Sequence, residues 1–126
     1  MSLITYPSHN AQFNPVDFYK FAGDLYKNQQ YDNNEVVYRT VIGRAYYSAF
    51  LCAKTHFNIK NTSGSVHNEV IAYAKEKNKT LGLQLIDLKA LRHKADYQLN
   101  ETVQRHEAIQ SLRLAKTILI TLNYSL

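Results

Sequence analysis

The densest group of chemistry-bearing side chains is the run Arg92-His93-Lys94-Ala95-Asp96-Tyr97. On a helix, Arg92 and Asp96 are four residues apart, share one face and can pair. A planar guanidinium fork also matches the oxygens of a phosphate, so such an arginine can grip one. A second arginine, Arg44, interrupts the apolar stretch VIGRAYYSAFLCA. Burying an unpaired guanidinium is costly, so each arginine needs an acidic partner, a solvated groove or a ligand. The plainest alternatives are an Arg92–Asp96 salt bridge that locks its helix, and an Arg44 stem packed in the core with its head reaching the surface.

Other chemistries have little support. His9, His56, His67, His93 and His106 are scattered singly, and no pair falls at i and i+4. A metal site needs a closer set of companions, so neither a metal nor a cofactor is expected. His67 reads as a capping or packing residue, and His93 and His106 as solvent-facing. No glycine-rich phosphate loop and no serine in a nucleophile-elbow pattern is present. Cys52 is the single cysteine and sits in an apolar helical stretch, which points to a buried free thiol rather than a nucleophile. A lone free thiol suits a reducing compartment, so a cytoplasmic location is expected. The opening MSLITYPSHN has no signal-peptide pattern, and no apolar run is long enough to span a bilayer.

The elements that must position these groups are helical. The 126 residues fit one domain, 45% hydrophobic and 20% charged, with only four glycines and two prolines, both before position 16. The expected organisation is an irregular arm over 1–13 and an up-and-down all-α bundle of four to five helices over 14–126. Asn14, Pro15 and Asp17 make a good helix start, followed by Phe18, Phe21, Ala22 and Leu25 at helical spacing. The polar stretch from Asn28 to Asn34 ends that helix. A second helix over about 35–57 is apolar nearly all round, the mark of a central helix. Gly64 is the expected turn residue after it, with Ser65 as the next N-cap and Val66, Val70, Ile71 and Ala74 facing inward. A turn is expected from Asn78 to Thr80. Leu81, Leu85, Leu88, Arg92, Ala95 and Leu99 form the stripe of a fourth helix, and Ile109, Leu112, Ala115, Leu119 and Leu122 that of a fifth. Net charge is +5 with a pI near 9.3, which admits an acidic partner such as nucleic acid and equally serves solubility.

The stretches YRTVIGRAYYSAF, from Tyr38 to Phe50, and LRHKADYQLN, from Leu91 to Asn100, together resemble prokaryotic HEPN domains. SVHNEV with His67, NPVDFYKFAGDLY and AIQSLRLAKTIL are similar in register, so the resemblance runs over nearly the whole chain from Asn14. It implies a homodimer with the arginine motifs near the shared interface, built by the second and fourth helices around Tyr46, Tyr47 and Leu91. It also implies an RNA-directed protein of toxin–antitoxin or defence type. One form is a weak metal-independent endoribonuclease. The alternative is a non-catalytic RNA- or nucleotide-binding module that partners a small nucleotidyltransferase, with Tyr97 as a candidate acceptor of a modification.

On that resemblance the catalytic set is Arg92, Asp96 and Tyr97, and the RNA- or phosphate-binding set is Arg44, His93 and Lys94. Cleavage without a metal needs a base for the 2′-hydroxyl proton and a cation for the phosphoryl charge. Arg92 supplies the cation. Where active members carry a histidine this chain has Tyr97, and a phenol with a reference pKa of about 10 is a poor base at neutral pH. Losing that help costs about 10² to 10⁴ in rate. His106, after the loop that follows Tyr97, is the nearest alternative base on the sequence.

Overall fold

The computed structural model describes residues 13–28 and 34–126. Most of the expected N-terminal arm, and most of the polar stretch after the first helix, lie outside them. Among the described residues there are five helices: α1 Val16–Lys27, α2 Glu35–His56, α3 Val66–Lys77, α4 Lys79–Tyr97 and α5 Arg105–Thr121. They form an all-α bundle. None of them is long and apolar enough to cross a membrane.

The helix ends follow local chemistry. The side chain of Asn14 accepts a hydrogen bond from the Val16 N–H at 3.1 Å, and Asn34 accepts from Val36 and Val37 at 3.0 and 3.3 Å. Gln104 and Glu107 make a capping box at the start of α5. The turn that closes α2 after His56 is made at Asn58. Asn58 takes a φ of 56°, its N–H bonds the Thr55 carbonyl, and the Ile59 N–H reaches back to the Lys54 carbonyl. This is the paired closure of a Schellman turn, and asparagine tolerates the left-handed conformation it needs. Asn123 closes α5 in the same way, with a φ of 68°. Gly64 lies, as expected, in the turn that leads into α3, where the Val66 N–H bonds the Ser63 carbonyl at 3.1 Å, and it does so without positive φ. Ser65 makes no side-chain cap, because its hydroxyl is engaged with Ser63 and Asn61.

α3 and α4 meet at a single residue. Asn78 ends the first, and its side chain caps the second by accepting from the Leu81 N–H at 3.1 Å, so helix begins at Lys79 rather than after Thr80. The hairpin this makes is tight. A Cβ on Gly82 would lie 2.5 Å from the Lys75 Cα, so only glycine fits that crossing.

α2 is the axis of the bundle and packs against the other four helices. Its Val41, Ala45, Tyr46, Ser48, Ala49, Cys52 and Ala53 are almost fully buried. The larger core cluster joins Tyr46 and Phe50 to Leu85, Leu88, Ile118 and Leu119. A smaller cluster gathers Ala22, Tyr38, Val41, Ile42, Ala95, Val103 and Ala108, with Leu91 bordering both. Two stripe residues are corrected. Phe21 is 53% exposed, since Val16 and Ala22 carry the buried edge of α1. Leu99 is 79% exposed, since α4 stops at Tyr97 before the stripe reaches it.

Candidate functional site

The end of α4 is set by a residue the sequence reading passed over. Arg39, in the second turn of α2, donates from Nη1 to the carbonyls of Lys94 and Ala95 at 3.2 and 2.8 Å. Its Nη2 donates to the carbonyls of Gln98 and Glu101 at 3.3 and 2.5 Å, and its Nε to Glu35 Oε2 at 2.9 Å. One guanidinium therefore takes up the orphan carbonyls at the end of α4 and pins the loop beyond it. A cation at a helix C-terminus also complements the helix dipole. Glu35 closes the arrangement by accepting from the Val103 N–H at 3.2 Å. The Arg39 guanidinium holds the Glu35 carboxyl below the usual carboxylate range.

On that fixed end stand the predicted residues. Arg92 Nε donates to Asp96 Oδ2 at 2.8 Å, the i,i+4 pair expected from spacing. The carboxylate of Asp96 lies against the backbone of α2, 3.3 Å from where a Cβ on Gly43 would be. The Arg92 guanidinium lies 5.6 Å from the centre of the Tyr46 ring and 5.0 Å from that of Tyr97. Its side chain is 25% exposed, and among the described residues its Nη groups make no ion pair. Tyr97 is 59% exposed and leans on the His93 ring at 5.4 Å. Arg92, Asp96, Tyr97 and His93 thus form one partly open rim.

Lys94 does not join them. It points from the α4 end toward α5 and bonds Glu107 Oε2 at 2.8 Å. Burial works to raise the Glu107 carboxyl, but the Lys94 ammonium and the Gln104 N–H outweigh it and hold it below its ordinary value. Lys94 is a tether between helices in this structure. Arg44, on α2, has its guanidinium 5.4 Å from the ring centres of both Phe18 and Tyr47. The residue is half-buried, and no carboxylate pairs with it among the described residues.

His67 is the residue the structure adds. Its Nδ1 lies 2.6 Å from the hydroxyl of Tyr46, and its ring stacks on Phe50 at 4.0 Å. Desolvation, then the charges of Arg92 and Lys89, lower its pKa, so the neutral imidazole is favoured. Burial raises the pKa of Tyr46, which keeps the phenol protonated. The packing role expected for His67 is present, and the same contacts set it beside the Arg92 rim. Only the family-like SVHNEV pattern hinted at this in the sequence, because Tyr46 and His67 lie 21 residues apart.

Other candidates fall elsewhere. Tyr46 is 1% exposed inside the protomer, so it cannot form part of an interface; that expectation is corrected, while Tyr47 and Leu91 are half-buried. His106 lines a separate cavity of about 560 Å³ with Glu35, Tyr38 and Arg105. Cys52 is buried, and its thiol is pushed up to about 11 by burial, far from a nucleophile at neutral pH. No group of three or more His, Cys, Asp or Glu side chains suited to a metal occurs among the described residues.

No comparison decides among the readings. No protein-family model matches the chain, and neither a curated protein nor a solved structure matches it. The arrangement itself can hold a phosphate oxygen on Arg92, stack a flat ring on Tyr97, and accept or donate a proton at His67.

Proposed function

We propose that the chain is a HEPN-like, RNA-directed protein of the toxin–antitoxin or defence type, working in the cytoplasm as a homodimer, with Arg92 as its phosphate grip. The observation that carries this is the state of Arg92. It is held in place by Asp96 through Nε and by the rings of Tyr46 and Tyr97, yet its remaining N–H groups are unpaired among the described residues at a partly exposed rim. A purely structural arginine is better satisfied, as Arg39 is. The exposed Tyr97 beside it offers a face for an unpaired base, and base–aromatic stacking contributes about 1–3 kcal/mol per base.

Binding is better supported than strong catalysis. Asp96 is tied to Arg92, and Tyr97 is a phenol where a base is needed. His67 is the group best suited to take the 2′-hydroxyl proton, since its neutral form is favoured near Arg92. In that reaction the 2′-oxygen bonds to phosphorus, the bond to the 5′-oxygen breaks, and the proton passes by way of His67 and water to the leaving oxygen. The products are a 2′,3′-cyclic phosphate and a 5′-hydroxyl.

A second reading rests on the 59% exposure of Tyr97. Its hydroxyl is open to a nucleotidyltransferase partner, which would join a nucleotidyl group from a nucleoside triphosphate to the phenol oxygen and release pyrophosphate.

The test compares wild type with Arg92→Ala in RNA binding, in cleavage assays with chelator present, and in growing cells. The proposal expects RNA binding to drop at least ten-fold and any growth defect to disappear. Unchanged binding and unchanged growth effects would remove it. Incubation of the chain with labelled nucleoside triphosphate and the neighbouring gene's product tests the second reading, with Tyr97→Phe as the control.

A further inference from the structure

Beyond the Arg92 rim the ring contacts do not stop. Phe13 meets Phe18 edge-on at 5.0 Å, and Phe18 meets Tyr47 at 5.5 Å. Tyr47 contacts Phe50 at 6.4 Å, Phe50 contacts Tyr46 and His67, and Arg92 joins Tyr46 to Tyr97. The result is one continuous ladder of rings crossing α1, α2, α3 and α4. Its middle is buried, with Tyr46 at 1% and Phe50 at 3% exposure. Its two ends are open, Phe13 at 61% and Tyr97 at 59%.

Each open end carries an arginine. Arg92 stands beside Tyr97, and the Arg44 guanidinium lies beside the Phe18–Tyr47 pair, 5.4 Å from each ring centre. Rings beside the Arg44 guanidinium leave its in-plane N–H groups as the part able to bond. They meet no acceptor among the described residues, and the residue is only half-buried. A guanidinium held beside two aromatic rings, with no carboxylate partner among the described residues, is poised for an anion rather than for the fold.

We infer that Arg44 is a second phosphate site and that the two ends of the ladder take one single strand of RNA, with bases stacked on Phe13 and Tyr97 and the backbone crossing α2 between the two arginines. This rests on the proposed RNA-directed role and adds the class of substrate. Bases in a duplex are already stacked on each other and cannot offer their faces to two separate exposed rings. Alternation of cation and ring is how non-base-specific single-strand sites are built. The net charge of +5 favours the same polyanion.

The experiment measures fluorescence anisotropy with three probes: a single-stranded RNA of about eight nucleotides, a duplex of the same sequence and a nucleoside 5′-monophosphate. Wild type is expected to bind the single strand more tightly than the duplex. Arg44→Gln should weaken the single strand about ten-fold, lower the slope of log affinity against log salt by about 0.7, and leave the monophosphate, held at Arg92, unchanged. Phe13→Ala alters an exposed ring and leaves the fold intact, so it decides the matter if Arg44→Gln does not fold; it should weaken the single strand without changing the salt slope. Duplex bound as tightly as single strand overturns the inference, as does a single strand whose affinity neither variant changes. If either of those results is found while Arg92→Ala still abolishes binding, the RNA-directed role stands without the single-strand site at Arg44. If no probe binds wild type, the role itself falls and the Arg44 site with it.

Discussion

Arg39 and Arg92 both serve the C-terminal end of α4, and they are used in opposite ways. Arg39 reaches across from α2 and spends its donors on four main-chain carbonyls and Glu35. Arg92 belongs to α4 itself, uses Nε on Asp96 and rests on two rings. The first arginine is finished within the fold. The second is positioned by the fold and left incomplete. Among arginines of one site, the residue with spare donors at an open rim is the one to connect with a ligand, and the saturated one holds it there.

The contrast is sharpest in what each loses on truncation. Arg39→Ala leaves four carbonyls at a half-buried helix end without their donor, and is expected to destabilise by about 3 kcal/mol. Thermal denaturation would read this directly, with Tm falling by roughly 10 °C. RNA affinity should fall too, since Tyr97 and Asp96 lose their platform. If Arg39→Ala is neutral for stability, the two arginines do not differ in kind.

Next in size are two changes that alter the packing around the site rather than the arginines. Gly82→Ala forces a Cβ against the Lys75 backbone and should cost about 1–3 kcal/mol, seen as a lower denaturation midpoint. His67→Ala leaves the Tyr46 hydroxyl, on a 1% exposed residue, without its partner, again at about 1–3 kcal/mol. His67 also carries a pH signature. Its pKa is lowered on folding, so its contribution is complete above the unfolded value of about 6.5 and declines as pH falls through the lower folded value. His67→Ala should remove that decline from a stability–pH profile.

A smaller acid limb belongs to Glu107. Its carboxyl is held below the ordinary range, so the stabilisation is present above about pH 4.3 and is lost as pH falls through the folded value. Glu107→Gln should flatten the profile there and free Lys94 from α5. The smallest effect on stability is expected from Arg92→Ala, below about 1 kcal/mol, because its ion pair with Asp96 is partly solvated. That variant should lose RNA binding while it keeps its fold, whereas Arg39→Ala weakens both.

Much of this architecture was legible before any coordinates. The apolar periodicity located all five helices, and the near-continuous apolar character of Val41 to Ala53 marked α2 as the central one. Asn14 capped its helix as read, and Arg92 paired with Asp96 as spacing required. The errors have local causes. Ser65 stands at the start of α3 but does not cap it, because Ser63 and Asn61 engage its hydroxyl. Leu99 continued the stripe in sequence, but Arg39 ended the helix before it. Lys94 looked like part of a basic cluster because neighbours in sequence were counted together, although positions two apart on a helix face different ways.

The sequence by itself settled which segments are helical and which pairs one turn apart could meet, because those depend on a repeat of about 3.6 residues that operates within a single helix. Only the tertiary structure decided that Arg39 holds carbonyls 55 to 62 residues away, that Tyr46 meets His67, and that Arg44 lies beside rings of two helices. These contacts arise where helices cross, and a crossing is set by how whole faces pack against one another.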